Sequence, residues 1–309
     1  MNTNQSSTQA VGAPRAKPAA LAWGTILVVS TPQIILHLFG WDVPGGPLGL
    51  SWLAWVQVVV LAVLWAATWV WPAAKPLRGF VLALLAYWVG LFFVLPLIGE
   101  SAAWSDWKQQ ASWGVWMVTD RLVTHLLLSG IMALTLIGSG IGRRALFLVR
   151  GNPSAPAQPT RLLQGNKTVP WNLVVRGWLP IYVLIVVVIE VILVRPNVSQ
   201  ITRALIYLPA IIIGAAINAF GEEFQFRSMV LARLEPVLGP QQAIWMAAGL
   251  FGLMHYFGDP GGPQGVLLAA YLGWIAAKSM IETRGFVWAF LIHFVGDFII
   301  YVFWALAAA

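Results

Sequence analysis

Residues 204–227 read ALIYLPAIIIGAAINAFGEEFQFR, an apolar stretch that ends in two glutamates and an arginine. The stretch is as long as the roughly 20 apolar residues that a helix needs to cross a bilayer. Gly214, Asn218 and Glu222 recur every four residues, so small and polar side chains share one face of the predicted helix. Because small residues let a second helix approach closely, we expect this face to point into a helical bundle.

The composition of the whole chain is that of a membrane protein. Hydrophobic residues make up 59% of the 309 residues and charged residues only 9%, and the mean hydropathy is +0.79. Soluble domains carry about one quarter charged residues. Long apolar segments recur along the chain, which predicts an all-α polytopic membrane protein with about eight to nine transmembrane helices. The predicted segments are 22–39, 52–71, 80–98, 121–139, 178–195, 204–224, 241–257, 264–281 and 286–307.

Changes of composition divide the chain into four regions. We expect a disordered tail at 1–20, N-terminal transmembrane helices at 21–139, a cytoplasmic linker at 140–177 and a C-terminal transmembrane bundle at 178–309. Tryptophans among polar residues in 103–117 predict an interfacial helix, because indole rings favour the headgroup level.

The net charge and the cysteine content exclude some partners and some kinds of chemistry. The net charge is +7, but the basic residues are scattered between apolar segments, which argues against nucleic acid. Most of them fall in alternate connections, so the positive-inside rule predicts a cytoplasmic N-terminus in a cell membrane. With no cysteine, the chain has neither a disulfide nor a cysteine nucleophile.

The acidic stretch separates into two chemical roles. Glu223 and Arg227 are spaced i, i+4 on a helix and can form an ion pair. Glu222 is rotated by about 100° from Glu223 and lacks that partner, so it is free to act as a base. Charges at membrane depth are costly, and such a cluster predicts a functional site. The alternative is a structural ion cluster that locks helices together.

Two later segments add histidines. His255 ends an apolar segment just before a Gly- and Pro-rich loop, where a single histidine is usually a packing residue. His293 and Asp297 are spaced i, i+4, so the carboxylate could orient the imidazole, or both could bind an ion. A buried His-Asp hydrogen bond without function is the competing interpretation. For Glu190 we expect a contact with the interface or with Arg195.

Three patterns in this order resemble the CPBP family of CAAX prenyl proteases and bacteriocin-processing enzymes, also called the ABI family. They are Glu222-Glu223-x-x-x-Arg227, Phe251-x-x-x-His255 and His293-x-x-x-Asp297. Each pattern alone is weak, but their order on successive apolar segments is more specific. The resemblance covers about residues 205–300.

The resemblance implies an intramembrane endopeptidase that acts on a membrane-associated protein or peptide. Glu222, assisted by His255, would activate a water molecule, while His293 and Asp297 would stabilise the oxyanion. Glu223 and Arg227 would hold Glu222 in place. The family's last residue is usually Asn, and an ionised Asp297 cannot donate a hydrogen bond.

Asp297 therefore leaves three possibilities: it is protonated, it orients His293, or it binds a metal. In the third case Glu222, His255, His293 and Asp297 would form a ligand set for a divalent ion such as zinc. A metal-dependent and a metal-independent glutamate mechanism are both compatible with the sequence.

The same residues also bear on other classes of function. The sequence lacks Gly-x-Ser-x-Gly and His-Glu-x-x-His motifs, which argues against common serine and zinc proteases. The main alternative is a non-catalytic transporter, immunity factor or scaffold.

Catalysis requires that Glu222 and His255 lie close together. A simple antiparallel pair of helices would separate them by about 20 Å. We therefore expect the helix that contains Glu222 and Glu223, here the motif helix, to continue toward Leu234. We also expect a polar cavity beside the loop after His255.

Overall fold

The computed structural model describes residues 16–41, 52–196 and 201–307. Within these ranges the chain is helical apart from turns, loops and one short antiparallel strand pair, so the all-α class is confirmed. The helices are α1 (Ala16–Ser30), α2 (Pro32–Leu38), α3 (Trp52–Val70), α4 (Arg78–Val89), α5 (Leu95–Gly99), α6 (Ala102–Gln110), α7 (Trp113–Arg121), α8 (Leu127–Ile137), α9 (Trp171–Val194), α10 (Ile201–Ile206), α11 (Leu208–Glu223), α12 (Met229–Leu238), α13 (Pro240–Met254), α14 (Gly262–Thr283) and α15 (Val287–Ala307). The strands are β1 (Pro156–Ala157) and β2 (Val169–Pro170).

Six helices of the described ranges are long and apolar enough to cross a membrane, or up to seven if α1 and α2, bent by 51°, form one span. They are Trp52–Val70, Lys75–Gly99, Trp113–Ile137, Trp171–Val194, Gly262–Thr283 and Val287–Ala307. The polytopic membrane class is thereby confirmed. The expected eight to nine helices include two shorter ones, α11 with 16 residues and α13 with 15, which carry the acidic stretch and precede His255.

Several boundaries differ from those expected. Residues 16–20 belong to α1 and not to a tail, whereas residues 1–15 lie outside the described part of the chain. The segment 103–117 is divided between α6 and the start of α7, which begins the fourth long helix at Trp113 and not at 121. That helix can include the charged Arg121 because the guanidinium donates to Asn218 Oδ1 across the bundle at 3.4 Å.

The predicted linker is folded against the C-terminal helices. Its strands β1 and β2 pair with each other, and α9 already begins at Trp171. Asn152 N donates to Thr283 O at 2.8 Å, and Trp288 Nε1 donates to Pro153 O at 2.8 Å. These bonds fix residues 140–170 to the ends of α14 and α15.

The N-terminal and C-terminal helices share one apolar core. Buried residues of α1, α4 and α8 belong to the same cluster as those of α12, α13 and α14. By contrast, most apolar side chains of α9 are exposed or only half-buried, as expected for a helix that faces lipid. The expected division into two helical parts is therefore not a division of the core.

The motif helix continues well beyond Glu222, as expected. A π-helical turn at Phe224–Ser228 joins α11 to α12, so helical backbone extends from Leu208 to Leu238. Such turns are frequent at functional sites. Phe224, Gln225, Phe226, Arg227 and Ser228 are all buried in the bundle.

Candidate active site

Glu223 and Arg227 form a buried ion pair, as their spacing predicts. Arg227 Nη1 lies 3.3 Å from Glu223 Oε1, and both side chains are 0% exposed. The geometry is that of a charge contact, since the guanidinium nitrogens of Arg227 have no hydrogen-bond partner in the described structure. The positive charge is also stabilised by a ring: Arg227 Cζ lies 3.4 Å from the centroid of Phe251.

Glu223 has a second partner that the sequence did not predict. Its Oε1 lies 2.7 Å from His293 Nδ1, a short contact between α11 and α15. A carboxylate accepts hydrogen bonds, so the contact places a proton on His293 Nδ1. Glu223 thereby orients the His293 ring and turns Nε2 toward Glu222.

Phe251 connects the arginine to His255. Its ring centroid lies 4.1 Å from that of His255, and its carbonyl oxygen lies 2.8 Å from His255 Nδ1. Because a carbonyl can only accept, Nδ1 carries the proton and Nε2 is left with a lone pair. The Phe-x-x-x-His pattern thus has a local explanation, since residues four apart on a helix are neighbours.

The two histidines meet at Glu222. Glu222 Oε2 lies 3.5 Å from His293 Nε2 and 3.9 Å from His255 Nε2. The carboxyl side chain is 17% exposed, and its Oε2 has no hydrogen-bond partner within the described ranges. Glu222 and His255 are too far apart for a direct hydrogen bond, but one water molecule can contact both.

Asp297 is held by an amide from the motif helix. Asn218 Nδ2 donates to Asp297 Oδ2 at 2.9 Å, and Asp297 Oδ1 lies 3.5 Å from His293 Nε2. Arg121 in turn donates to Asn218 Oδ1 at 3.4 Å, which fixes the amide. Asp297 could orient His293, but Glu223 makes the shorter contact with that ring and orients it more strongly.

Two cavities reach the site, and His255 lines both of them. The first, here the α4 cavity, has a volume of about 310 Å³ and contains Tyr87, His125, Glu222 and His255 in its wall. The second, here the α9 cavity, has a volume of about 140 Å³. Its wall includes Tyr182, Glu190, His255, Asp259, His293 and Asp297. A polar cavity was expected, but both cavities have mainly apolar walls with a few polar side chains.

The side chains do not form the metal site considered from the sequence. No group of three histidine, aspartate or glutamate side chains in the described ranges is arranged to hold an ion. His293 Nδ1 contacts Glu223 and Asp297 Oδ2 accepts from Asn218, which leaves only Nε2 and Oδ1 of these two side chains facing the site. The described residues as placed do not fit a zinc site.

One residue of the α4 cavity, His125, belongs to none of the three sequence patterns. Its ring lines the α4 cavity together with Glu222, and neither ring nitrogen has a hydrogen-bond partner among the described residues. His125 reaches this place because residue 221 is glycine: a Cβ at Gly221 would lie 2.5 Å from His125 Cβ. The Gly immediately before Glu222 was the only signal, and it does not identify its neighbour.

Glu190 lies elsewhere than expected. It was interpreted as reaching the interface or Arg195, but its side chain is buried in the α9 cavity while Arg195 is exposed. Burial is possible because Glu190 is on the one face of α9 that turns toward α15.

Comparison with known families identifies the region that contains these residues. Residues 204–299 match the family model described as type II CAAX prenyl endopeptidase Rce1-like. These residues form an Rce1-like domain. The resemblance to the CPBP family, expected over residues 205–300, is thereby confirmed. No curated protein and no solved structure shows a significant match to the chain.

The Rce1-like domain contains the whole constellation described above. Glu222, Glu223, Arg227, His255, His293 and Asp297 all lie within the matched residues. The match covers about a third of the chain, and α1 to α9 lie outside it. The family supports a multi-pass membrane hydrolase of the CAAX protease class, whose substrates would be membrane-associated.

Proposed function

We propose that this protein is an intramembrane endopeptidase that hydrolyses a peptide bond in a membrane-associated protein or peptide. The observation that carries the proposal is the position of Glu222, whose free Oε2 faces Nε2 of both His255 and His293 inside an Rce1-like domain. A base and two imidazoles around one point are the elements needed to activate water and stabilise an oxyanion.

Glu222 acts as the general base in this proposal. It takes a proton from a water molecule held between its Oε2 and His255 Nε2, and the water oxygen bonds to the substrate carbonyl carbon. Collapse of the tetrahedral intermediate breaks the carbon–nitrogen bond, and the proton on Glu222 passes to the leaving amine. The His255 Nδ1 bond to Phe251 keeps Nε2 available to accept the second water proton as a hydrogen bond.

His293 is the group proposed to stabilise the oxyanion. Nδ1 is held by Glu223, and a proton on Nε2 would point to the space near Glu222. Asp297 does not need to donate in this arrangement, because its carboxylate accepts from Asn218 and adds negative charge beside His293. The departure from the family's Asn at this position is therefore compatible with the mechanism.

Glu223 and Arg227 are positioning residues. They lie behind Glu222 and His293 with no exposed surface, so a substrate cannot contact them. The basic residues of alternate connections support the further proposal that the N-terminus is cytoplasmic and that the surrounding partner is the lipid bilayer.

The proposal is tested with the purified protein in lipid nanodiscs and quenched fluorescent peptides. The panel contains farnesylated CAAX peptides, the same peptides with an unmodified cysteine, and neutral transmembrane peptides. We expect cleavage of at least one peptide, and a loss of about 10²-fold or more in kcat for His255→Ala, because the aligned water is lost.

Glu100 is exposed and provides a control variant, Glu100→Gln, which should cleave like the wild type. Melting curves must show that His255→Ala is folded. A folded wild-type protein that cleaves no member of the panel would contradict the proposal and favour a non-catalytic membrane protein.

A further inference from the structure

Two acidic side chains in the α9 cavity have no role in the proposed mechanism. Glu190 on α9 and Asp259 in the loop after His255 both line this cavity. Its volume of about 140 Å³ is close to that of an engineered cavity of about 150 Å³ that binds benzene. It can therefore accept one side chain of a substrate.

Glu190 is buried, and one of its carboxylate oxygens has no partner among the described residues. Its exposed fraction is 1%, and its Oε2 has no hydrogen-bond partner in the described part of the chain. Asp259 is held in place, because Trp304 Nε1 donates to its Oδ2 at 2.8 Å. No lysine or arginine lines this cavity, and neither carboxylate makes an ion pair with any residue of the described ranges.

A buried carboxylate without a cation is costly, and its cost falls when a positive charge binds. We propose that Glu190 and Asp259 form a subsite for a cationic side chain of the substrate, a lysine or an arginine. The proposal rests on the proposed function, since the same cavity reaches His255, His293 and Asp297.

The distance between the subsite and the reacting groups predicts the position of the basic residue. Asp297 and Trp304 are seven residues apart on α15, which corresponds to about 10 Å at 1.5 Å per residue. An extended peptide advances about 3.3–3.6 Å per residue. The basic residue should therefore lie about three positions from the bond that is cleaved.

The experiment starts from a neutral peptide that the wild-type protein cleaves. Single lysines are placed two, three or four residues from the cleaved bond on either side, and each peptide is compared with one that has norleucine at that position. We expect one position at which lysine raises kcat/KM about tenfold or more, because a hydrogen bond to a charged group is the stronger kind.

Two variants test the carboxylates separately. Glu190→Gln and Asp259→Asn should each reduce the preference for lysine over norleucine to less than about threefold. The matched change outside the cavity, Glu100→Gln, should keep the preference. Asp259 is in a loop, so its variant remains informative even if Glu190→Gln fails to fold.

The outcomes separate the two proposals. Equal cleavage of lysine and norleucine peptides at every position, or a lysine preference that survives both variants, would overturn the subsite while leaving the peptidase intact. A wild-type protein that cleaves neither kind of peptide would instead contradict the proposed function.

Discussion

Substitution of Glu222 by Gln is expected to lower kcat by about 10²- to 10⁴-fold, with little change in the melting temperature. Glutamine keeps the shape of the side chain but cannot take a proton from water. The Oε2 atom makes no hydrogen bond that folding depends on, so the variant should remain stable. The measurement is the initial rate of peptide cleavage in nanodiscs, with melting followed in the same samples.

Two further variants sharpen this prediction. Glu100→Gln makes the same chemical change at an exposed position and should keep the wild-type rate. Glu222→Asp retains a base but withdraws it by one methylene, and it should fall between wild type and Glu222→Gln. A rate for Glu222→Gln within threefold of wild type would exclude Glu222 as the general base.

Substitution of Arg227 by Met is expected to cost about 3–5 kcal/mol of the free energy of unfolding. The change removes one partner of a fully buried ion pair and leaves the Glu223 carboxylate without its cation. Met fills much of the same volume, so a cavity is not the main cause. Reversible unfolding in mixed detergent micelles, followed by tryptophan fluorescence, measures the loss.

The double variant Glu223→Gln/Arg227→Met isolates the interaction between the two charges. Removing both charges should restore part of the lost stability. The coupling energy should be well above the value of about 0.3–0.5 kcal/mol that is typical of an exposed i, i+4 ion pair. It should not restore activity, because Glu223 also orients His293. Additive losses in the two single variants would mean that the pair is not coupled.

The sequence predicted the class of fold because hydrophobicity decides it. Segments of membrane-spanning length predicted the long helices, but several of these helices begin up to eight residues before the predicted position. The fourth long helix begins at Trp113 and not at the predicted residue 121, and Arg121 in its interior donates to Asn218 across the bundle. Such a partner is about 100 residues away and leaves no mark on local hydropathy.

The candidate site was predictable to the extent that its contacts are local. The Glu223–Arg227 pair and the neighbourhood of Phe251 and His255 follow from a four-residue spacing on one helix. The bonds from Glu223 to His293 and from Asn218 to Asp297 join α11 to α15, and they depend on how the two helices are rotated. Periodicity placed Asn218 and Glu222 on one face but could not identify what that face would meet.

The continuation of the motif helix was predicted from a distance requirement and not from a sequence pattern. Glu222 and His255 can meet because helical backbone continues through the π-helical turn to Leu238 before α13 returns. This continuation was expected because a simple antiparallel helix pair would hold Glu222 and His255 too far apart. The π-helical turn itself was not predicted, since no residue type requires it.

The most direct test of the central claim is a single-turnover cleavage by the wild-type protein in ¹⁸O-labelled water, read by mass spectrometry. If Glu222 activates a water molecule that attacks the peptide carbonyl, the new carboxylate of the product carries one ¹⁸O atom and the protein carries none. A substrate that stays intact, or a label that appears in the Glu222 side chain, would contradict the account.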